Sequence, residues 1–297
     1  MSRKTVPSSV LLVLLCGALL SVPASAQHFQ QVTGTLASVA AGRNEVFGIG
    51  PTGLPWRYNA SKQSFEKVAG ATSLVQIAVG GGTLSQLDEV WAVGDNGSVY
   101  RFNFAKNAFA QVPGKDFVQI TVGEGPQDSC HPYEVLAVEG EAQVVTRYDY
   151  CTSQFEGQQG PVDQCTTDGG DIWCLTSSGN IWHLSFTAGG SSFGQVPGSL
   201  TGIAVGVDNV WGVYGLSLFR YDPITNQFNV LGGGYSQIAA GGDGLWGLAP
   251  DSSIYRFDPG TESWIQVPGL LAYITVGSGA GVWGVSSNNQ VYTFVRP

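Results

Sequence analysis

What is scarce in these 297 residues decides most of what the chain cannot be. Charged residues make up only 12%, about half the usual ~25%, which excludes an acidic disordered tail and a charge-laced helical bundle. Lys and Arg number 13 against 22 Asp and Glu, a formal net charge of −9. No basic footprint is left for nucleic acid or an anionic lipid surface. Three His and one Met leave little general-base capacity. The motifs G-x-S-x-G, H-E-x-x-H, the P-loop and the dinucleotide fingerprint are all missing, so no catalytic residue, metal or cofactor is expected. Beyond the first twenty or so residues there is no long apolar run, and membrane insertion is not expected.

What is present is equally one-sided. Gly occurs 42 times, about twice the usual ~7%, beside 8 Trp, 11 Tyr and 14 Phe. Strands and turns fit that composition. Residues 1–26 read as a signal peptide: Arg3 and Lys4 supply the basic start, Val10 to Leu20 the apolar stretch, and Ala24-Ser25-Ala26 the small-x-small cleavage site. The mature chain is expected to begin at Gln27 and to reside outside the cytoplasm, secreted or periplasmic. Four cysteines then remain, Cys130, Cys151, Cys165 and Cys174, and an even number in an exported chain reads as two disulfides.

Residues 27–297 form a single domain that repeats one plan seven times. QIAVG (76–80), QITVG (119–123), GIAVG (202–206), QIAAG (237–241) and ITVG (274–277) are one string. A second follows each: EVWAV (89–93), EVLAV (134–138), NVWGV (209–213), GLWGL (244–248) and GVWGV (281–285). Then come SVYRFN, SLFRYD and SIYRFD, and last an F/W-x-x-V-x-G string. SVAAG with EVFGIG near 38–50, and QCTTDGGDIWCL at 164–175, are weaker copies. The second-string position runs Phe47, Trp91, Leu136, Trp173, Trp211, Trp246 and Trp283, at spacings of 35 to 45 residues.

Each string is short, β-branched or aromatic, and bounded by Gly, Asn, Asp or Pro, as strands are. Four strands per repeat at this period make a propeller blade, because one such sheet buries its faces only against neighbours. The expectation is an all-β, seven-bladed β-propeller of four-stranded antiparallel blades. The seventh repeat lacks its fourth string, and Phe29-Gln-Gln-Val-Thr-Gly supplies it from the other end. The N-terminal strand is thus expected to complete the last blade. On this template Cys165 and Cys174 fall opposite each other on adjacent strands, and Cys130 and Cys151 bracket the second and third strands of the longest repeat. That favours Cys130–Cys151 and Cys165–Cys174 among the three possible connectivities. Asn96-Gly97 suits a two-residue hairpin, and Asp222-Pro223 and Asp258-Pro259 suit capped turns.

The ordered strings I-x-V-G, V-W-G-V, G/S-x-I-Y-R and W/F-x-x-V-x-G resemble the tectonin β-propeller repeat. The resemblance implies a propeller lectin or related recognition protein that binds glycans, including methylated sugars and bacterial lipopolysaccharide, on pathogen or cell surfaces; the repeats themselves would offer such sites multivalently, in the grooves between blades. The family's lectins carry six blades, so seven repeats depart from its pattern. YDPITNQF (221–228) also looks like the end of a kelch unit, but the kelch double glycine is absent.

Sugars stack on aromatic rings and accept hydrogen bonds from Arg and Asn. The recurring candidates for carbohydrate binding are Trp91, Trp211, Trp246 and Trp283, with Arg57, Arg101, Arg147, Arg220 and Arg256. The same Trp positions suit inter-blade core, and the same Arg suit pairing with the Asp or Asn two residues on, or stacking on a neighbouring blade's ring. His183 stands at the Arg position of the fourth repeat and reads as its structural substitute. A protein-interaction scaffold is the alternative. A glycan-active hydrolase comes third, resting on Asp168 and Asp171 of TTDGGD, where Asp-Gly is ordinary turn chemistry. Asn59-Ala-Ser61 and Asn96-Gly-Ser98 fit glycosylation acceptors of a eukaryotic secretory route.

Overall fold

A computed structural model describes residues 27–114, 116–126, 128–168, 171–187, 190–206 and 209–296; the expected signal peptide lies outside them. Every regular element among the described residues is a strand, and none of them forms a helix long and apolar enough to cross a membrane. The fold is an all-β propeller of small antiparallel blades. Five four-stranded sheets, at 74–112, 117–159, 164–196, 202–233 and 237–270, each run in sequence order.

The expected seven separate blades are not what is seen. Five are separate, and the other eight strands form one continuous sheet. Its order is Ser38–Ala41, Val46–Ile49, Pro55–Asn59, Ser64–Lys67, His28–Thr35, Gln290–Val295, Val282–Val285 and Tyr273–Val276. The fusion has a local cause: Thr33 pairs in parallel with Ser64. On its other edge His28–Thr35 lies antiparallel to Gln290–Val295, with His28 opposite Val295 and Val32 opposite Val291. Both chain ends therefore share a sheet.

The first strand of each repeat faces the axis. Ser38–Ala41, Leu74–Gly80, Phe117–Glu124, Gln164–Asp168, Gly202–Val205, Gln237–Gly241 and Tyr273–Val276 pack each against the next, and the last against the first. They surround a channel of about 340 Å³ lined by groups such as Gln76, Gln119, Thr121 and Thr275. Crowding here is severe: a Cβ on Gly80 would sit 2.4 Å from the Val122 carbonyl oxygen, and one on Gly277 only 2.2 Å from that of Gly42. Glycine is what admits such an approach.

Side chains then fasten neighbouring repeats to each other around the axis. Gln76 accepts a hydrogen bond from the Ile120 amide at 2.7 Å. Gln119 accepts one from the Cys165 amide at 2.6 Å and donates back to its carbonyl at 2.5 Å. Gln237 grips Ile274 in the same two-sided way. Between repeats one and two the fastener differs. Asp88, 1% exposed, accepts the amides of Arg43, Asn44 and Glu45 at 3.0, 2.6 and 2.9 Å, and of Gly82 at 3.1 Å.

Away from the axis the core lies between sheets. The second-strand residue of one repeat packs against the third-strand ring of the next: Phe47 on Phe102 (4.8 Å), Trp91 on Tyr148 (4.7 Å), Trp173 on Tyr221 (4.6 Å) and Trp211 on Phe257 (5.4 Å). Trp246 meets Phe294 (4.7 Å) and Trp283 meets Tyr58 (4.7 Å). Phe29 of the N-terminal strand also touches Trp246, at 5.8 Å, as Phe155 touches Trp91.

Cys130–Cys151 and Cys165–Cys174 are both bonded, as the template favours, and Cys165 stands opposite Cys174 in register. Asp222 and Asp258 cap their turns through the amides of Ile224 and Gly260. The Asn96-Gly97 hairpin departs from expectation. Gly97 alone takes a positive φ, 73°, in a loop closed by the Gly94 amide on the Ser98 carbonyl.

Removing residues 27–36 should lower the melting temperature by roughly 10 °C or more, because an outer strand and Val32, 6% exposed, leave together. A calorimetric melt that does not move would show that the strand holds nothing closed.

Candidate binding grooves between repeats

Strand register decides where the candidate side chains go. The second-strand residue and the third-strand cation are cross-strand partners: Phe47 with Arg57, Trp91 with Arg101, Leu136 with Arg147, Trp211 with Arg220, and Trp246 with Arg256. In the fourth repeat His183 takes that place opposite Trp173, as the sequence suggests, and in the last Thr293 faces Trp283. Trp91, Trp211, Trp246 and Trp283 are 0, 6, 0 and 4% exposed. Their ring faces are covered by the next repeat, so these four pack the core and offer no open platform for a sugar.

The cations emerge at the groove mouths, and the ion pairs of Arg57, Arg101 and Arg147 run to a different acid from the Asp or Asn two residues on. Arg57 donates through Nε and Nη2 to Glu45 at 2.8 and 2.6 Å. Arg101 does the same to Glu89 at 2.8 and 2.6 Å, and Arg147 to Glu134 at 2.7 and 2.8 Å. In each case the acid stands two residues before the second-strand position, at the start of the adjacent strand. Bidentate forks of this kind fix both planes. In the fourth repeat Asp171 is the acid, taking hydrogen bonds from Trp173 Nε1 at 3.0 Å and from His183 at 2.5 Å, while His183 stacks on Trp173 at 4.3 Å. Asp171 is thus occupied structurally. Repeats five and six carry Asn209 and Gly244 there instead. Arg220 reaches across to Glu262 at 3.4 Å, and Arg256 lies half-buried opposite Trp246.

Stacking on a neighbouring repeat's ring does occur. The Arg101 guanidinium lies 5.0 Å from the Tyr150 ring, and that of Arg57 lies 5.7 and 5.4 Å from Phe102 and Phe104.

Burial sets the electrostatics. Glu134 is fully buried, and its desolvation pushes the carboxyl above its usual range despite Arg147. Burial also opposes ionisation of Asp171, but the hydrogen bonds from His183 and Trp173 outweigh it and hold the carboxyl below the usual range. Backbone amides at Ile224 and Gly260 likewise hold Asp222 and Asp258 low.

Two of these constellations border open cavities. About 520 Å³ lies between repeats one and two, lined by Asn44, Glu45, Arg57, Tyr58, Lys67 and Asn107 among others. The counterpart between repeats three and four holds about 240 Å³ beside His131, Arg147, Asp149, Glu156, Gln159 and Leu184. In both, a Glu of the fourth strand stands opposite the Arg: Glu66 to Arg57, and Glu156 to Arg147. The one group of three ligand-type residues among the described residues, Cys130, Asp149 and Cys151, has its sulfurs bonded to each other.

Small antiparallel blades meeting round an axis, with polar grooves between them, define a β-propeller. Residues 161–296 match the Tectonin domain model, so the resemblance seen in the repeats holds over that stretch and the chain is consistent with a tectonin-type β-propeller family. No curated protein sequence matches the chain. Among solved structures it is similar to PorZ, a bacterial surface component of the type-IX secretion system of Porphyromonas gingivalis, at 10% identity and a TM-score of 0.63. That match covers 91% of this chain, which spans only 39% of PorZ. It is similar also to YCF48 from Cyanidioschyzon merolae, at 15% identity and a TM-score of 0.64, with 90% and 98% of the two chains covered. Prp20p from Saccharomyces cerevisiae, described with its binding to Gsp1p and histones, matches at 12% identity and a TM-score of 0.63, over 88% and 82%. At these identities the likeness is one of fold.

Arg147→Ala strips Glu134 of its partner in a buried site and should cost about 3 kcal/mol, whereas Arg220→Ala, an exposed pair, should cost under about 1 kcal/mol. Urea denaturation of both variants checks this, and equal losses would contradict it. Because Asp222 and Asp258 have lowered folded values, their contribution is complete above the unfolded carboxylate value of about 3.9 and is lost as pH falls through the folded one. Melting temperature should therefore decline on the acid side, and less steeply in Asp222→Asn.

Proposed function

We propose that this protein is a secreted, non-catalytic carbohydrate-binding propeller that recognises surface glycans multivalently through grooves between its blades. In this reading the eight-stranded sheet counts as two blades joined by the Thr33–Ser64 bridge, in a ring of seven closed by the N-terminal strand. The observation that carries the reading is the pair of equivalent cavities beside Arg57 and Arg147. Both present a fixed guanidinium with carboxylates and amides at the mouth of a pocket near the size of small-molecule sites. Shallow polar grooves repeated on one rigid ring suit a repetitive glycan, since linked weak sites gain in avidity. Two disulfides fit export to an oxidising compartment. The scarcity of His, and the use of Asp171 to hold Trp173 and His183, weigh against hydrolysis.

A protein-interaction scaffold is the second reading. It draws on exposed apolar residues, Leu84, Ile224, Val230 and Leu270, and on the similar fold of YCF48, which is described bound to a D1 peptide. A glycan array that includes methylated sugars and lipopolysaccharide cores separates the two. Binding that weakens in Arg57→Lys and Arg147→Lys is the expected result. A blank array beside a specific protein partner would transfer the function to the scaffold, and shortened glycans after incubation would make the protein a hydrolase.

A further inference from the structure

The grooves at Arg57 and Arg147 share a plan but differ in charge, and the difference, resting on the carbohydrate-binding reading above, points to a ligand class. At Arg57 the acceptors are already spent. Glu45 gives both oxygens to Arg57. Glu66 takes the Asn59 amide at 3.0 Å and the Lys62 ammonium. Lys67 lines the same cavity and has no ion pair among the described residues. The side-chain amide of Asn44 and that of Asn107, whose oxygen faces Arg57 Nη1 at 3.4 Å, add further donors. Three cations thus stand against two carboxylates, in a protein of net charge −9.

At Arg147 the balance is reversed. Glu134 consumes the Arg147 fork, while Asp149 and Glu156 line the cavity with no Lys beside them. His131 sits at the rim between Asp128 (3.0 Å) and Asp149 (3.9 Å).

We propose that the Arg57 groove binds a saccharide carrying an oxyanion, a uronate carboxylate or a sugar phosphate, with Lys67 as the selecting charge, and that the Arg147 groove rejects such a ligand. An ammonium that no carboxylate among the described residues holds, beside amide donors, complements a carboxylate or phosphate, while the excess of carboxylates over cations at the Arg147 groove repels it.

Titration calorimetry of the mature chain tests this with a galacturonate trisaccharide, the matching galactose trisaccharide, mannose 6-phosphate and mannose. At low salt at least one anionic probe should bind about threefold or more tighter than its neutral match. The anion that gains shows whether carboxylate or phosphate is read. The preference should fade in about 0.5 M NaCl and disappear in Lys67→Gln, an exposed change whose melting temperature should match the parent. Glu156→Gln, which removes a repelling charge from the other groove, should not weaken anionic binding. Equal binding of charged and neutral probes, or a preference that survives Lys67→Gln, overturns the inference while the lectin reading stands. So does failure of every probe on a chain that binds another glycan. A chain that binds no glycan at all removes the reading beneath it.

Discussion

Strands converging on one axis leave less space between their backbones than a methyl group requires, and the rest of the molecule follows from that crowding. Gly80 and Gly277 bring an inner strand within reach of the next strand's carbonyl groups. With no side chains there, the sheets splay outward, and space opens between them with distance from the axis. The second-strand aromatics fill that space, each reaching the third-strand ring of the following repeat. Burying a Trp on that scale contributes several kcal/mol, so the wedge between neighbouring sheets, not any single sheet, is the unit of stability.

The same register that buries the rings exposes the cations. A third-strand Arg lies directly across from the buried residue and turns to the mouth of the wedge, where at Arg57, Arg101 and Arg147 an acid at the start of the second strand captures it. Where neighbouring repeats close over the pair, the result is a stacked surface, as at Arg101 and Tyr150. At Arg147, and at Arg57 beside its stacked rings, a cavity remains. Core packing and groove chemistry are two faces of one cross-strand pairing.

Most of the fold was legible because the repeats carry it. The strand strings, the partner of the orphan seventh repeat, both disulfides and the role of His183 all follow from aligning one repeat on another. The fusion of two sheets through Thr33 and Ser64 was not legible: a single parallel bridge between outer strands leaves no periodic trace. The aromatic platforms failed for a physical reason, since recurrence marks what every repeat must bury as readily as what every repeat displays. The Arg partner was readable but passed over. Glu45, Glu89 and Glu134 open the second strings, but cross-strand proximity outranked nearness along the chain. The cavities depend on how far neighbouring loops stand apart, which repeat-to-repeat matching does not report.

The fasteners around the axis carry a consequence for ancestry. Gln76, Gln119 and Gln237 each grip one particular neighbour, and Asp88 replaces them where repeats one and two meet. A ring grown by duplication would have begun with interchangeable parts. Here three junctions still use the same glutamine at the same place in the repeat, and the meeting of repeats one and two has a lock of its own in Asp88. The shared glutamine marks what the copies still have in common, and Asp88 marks where they have parted.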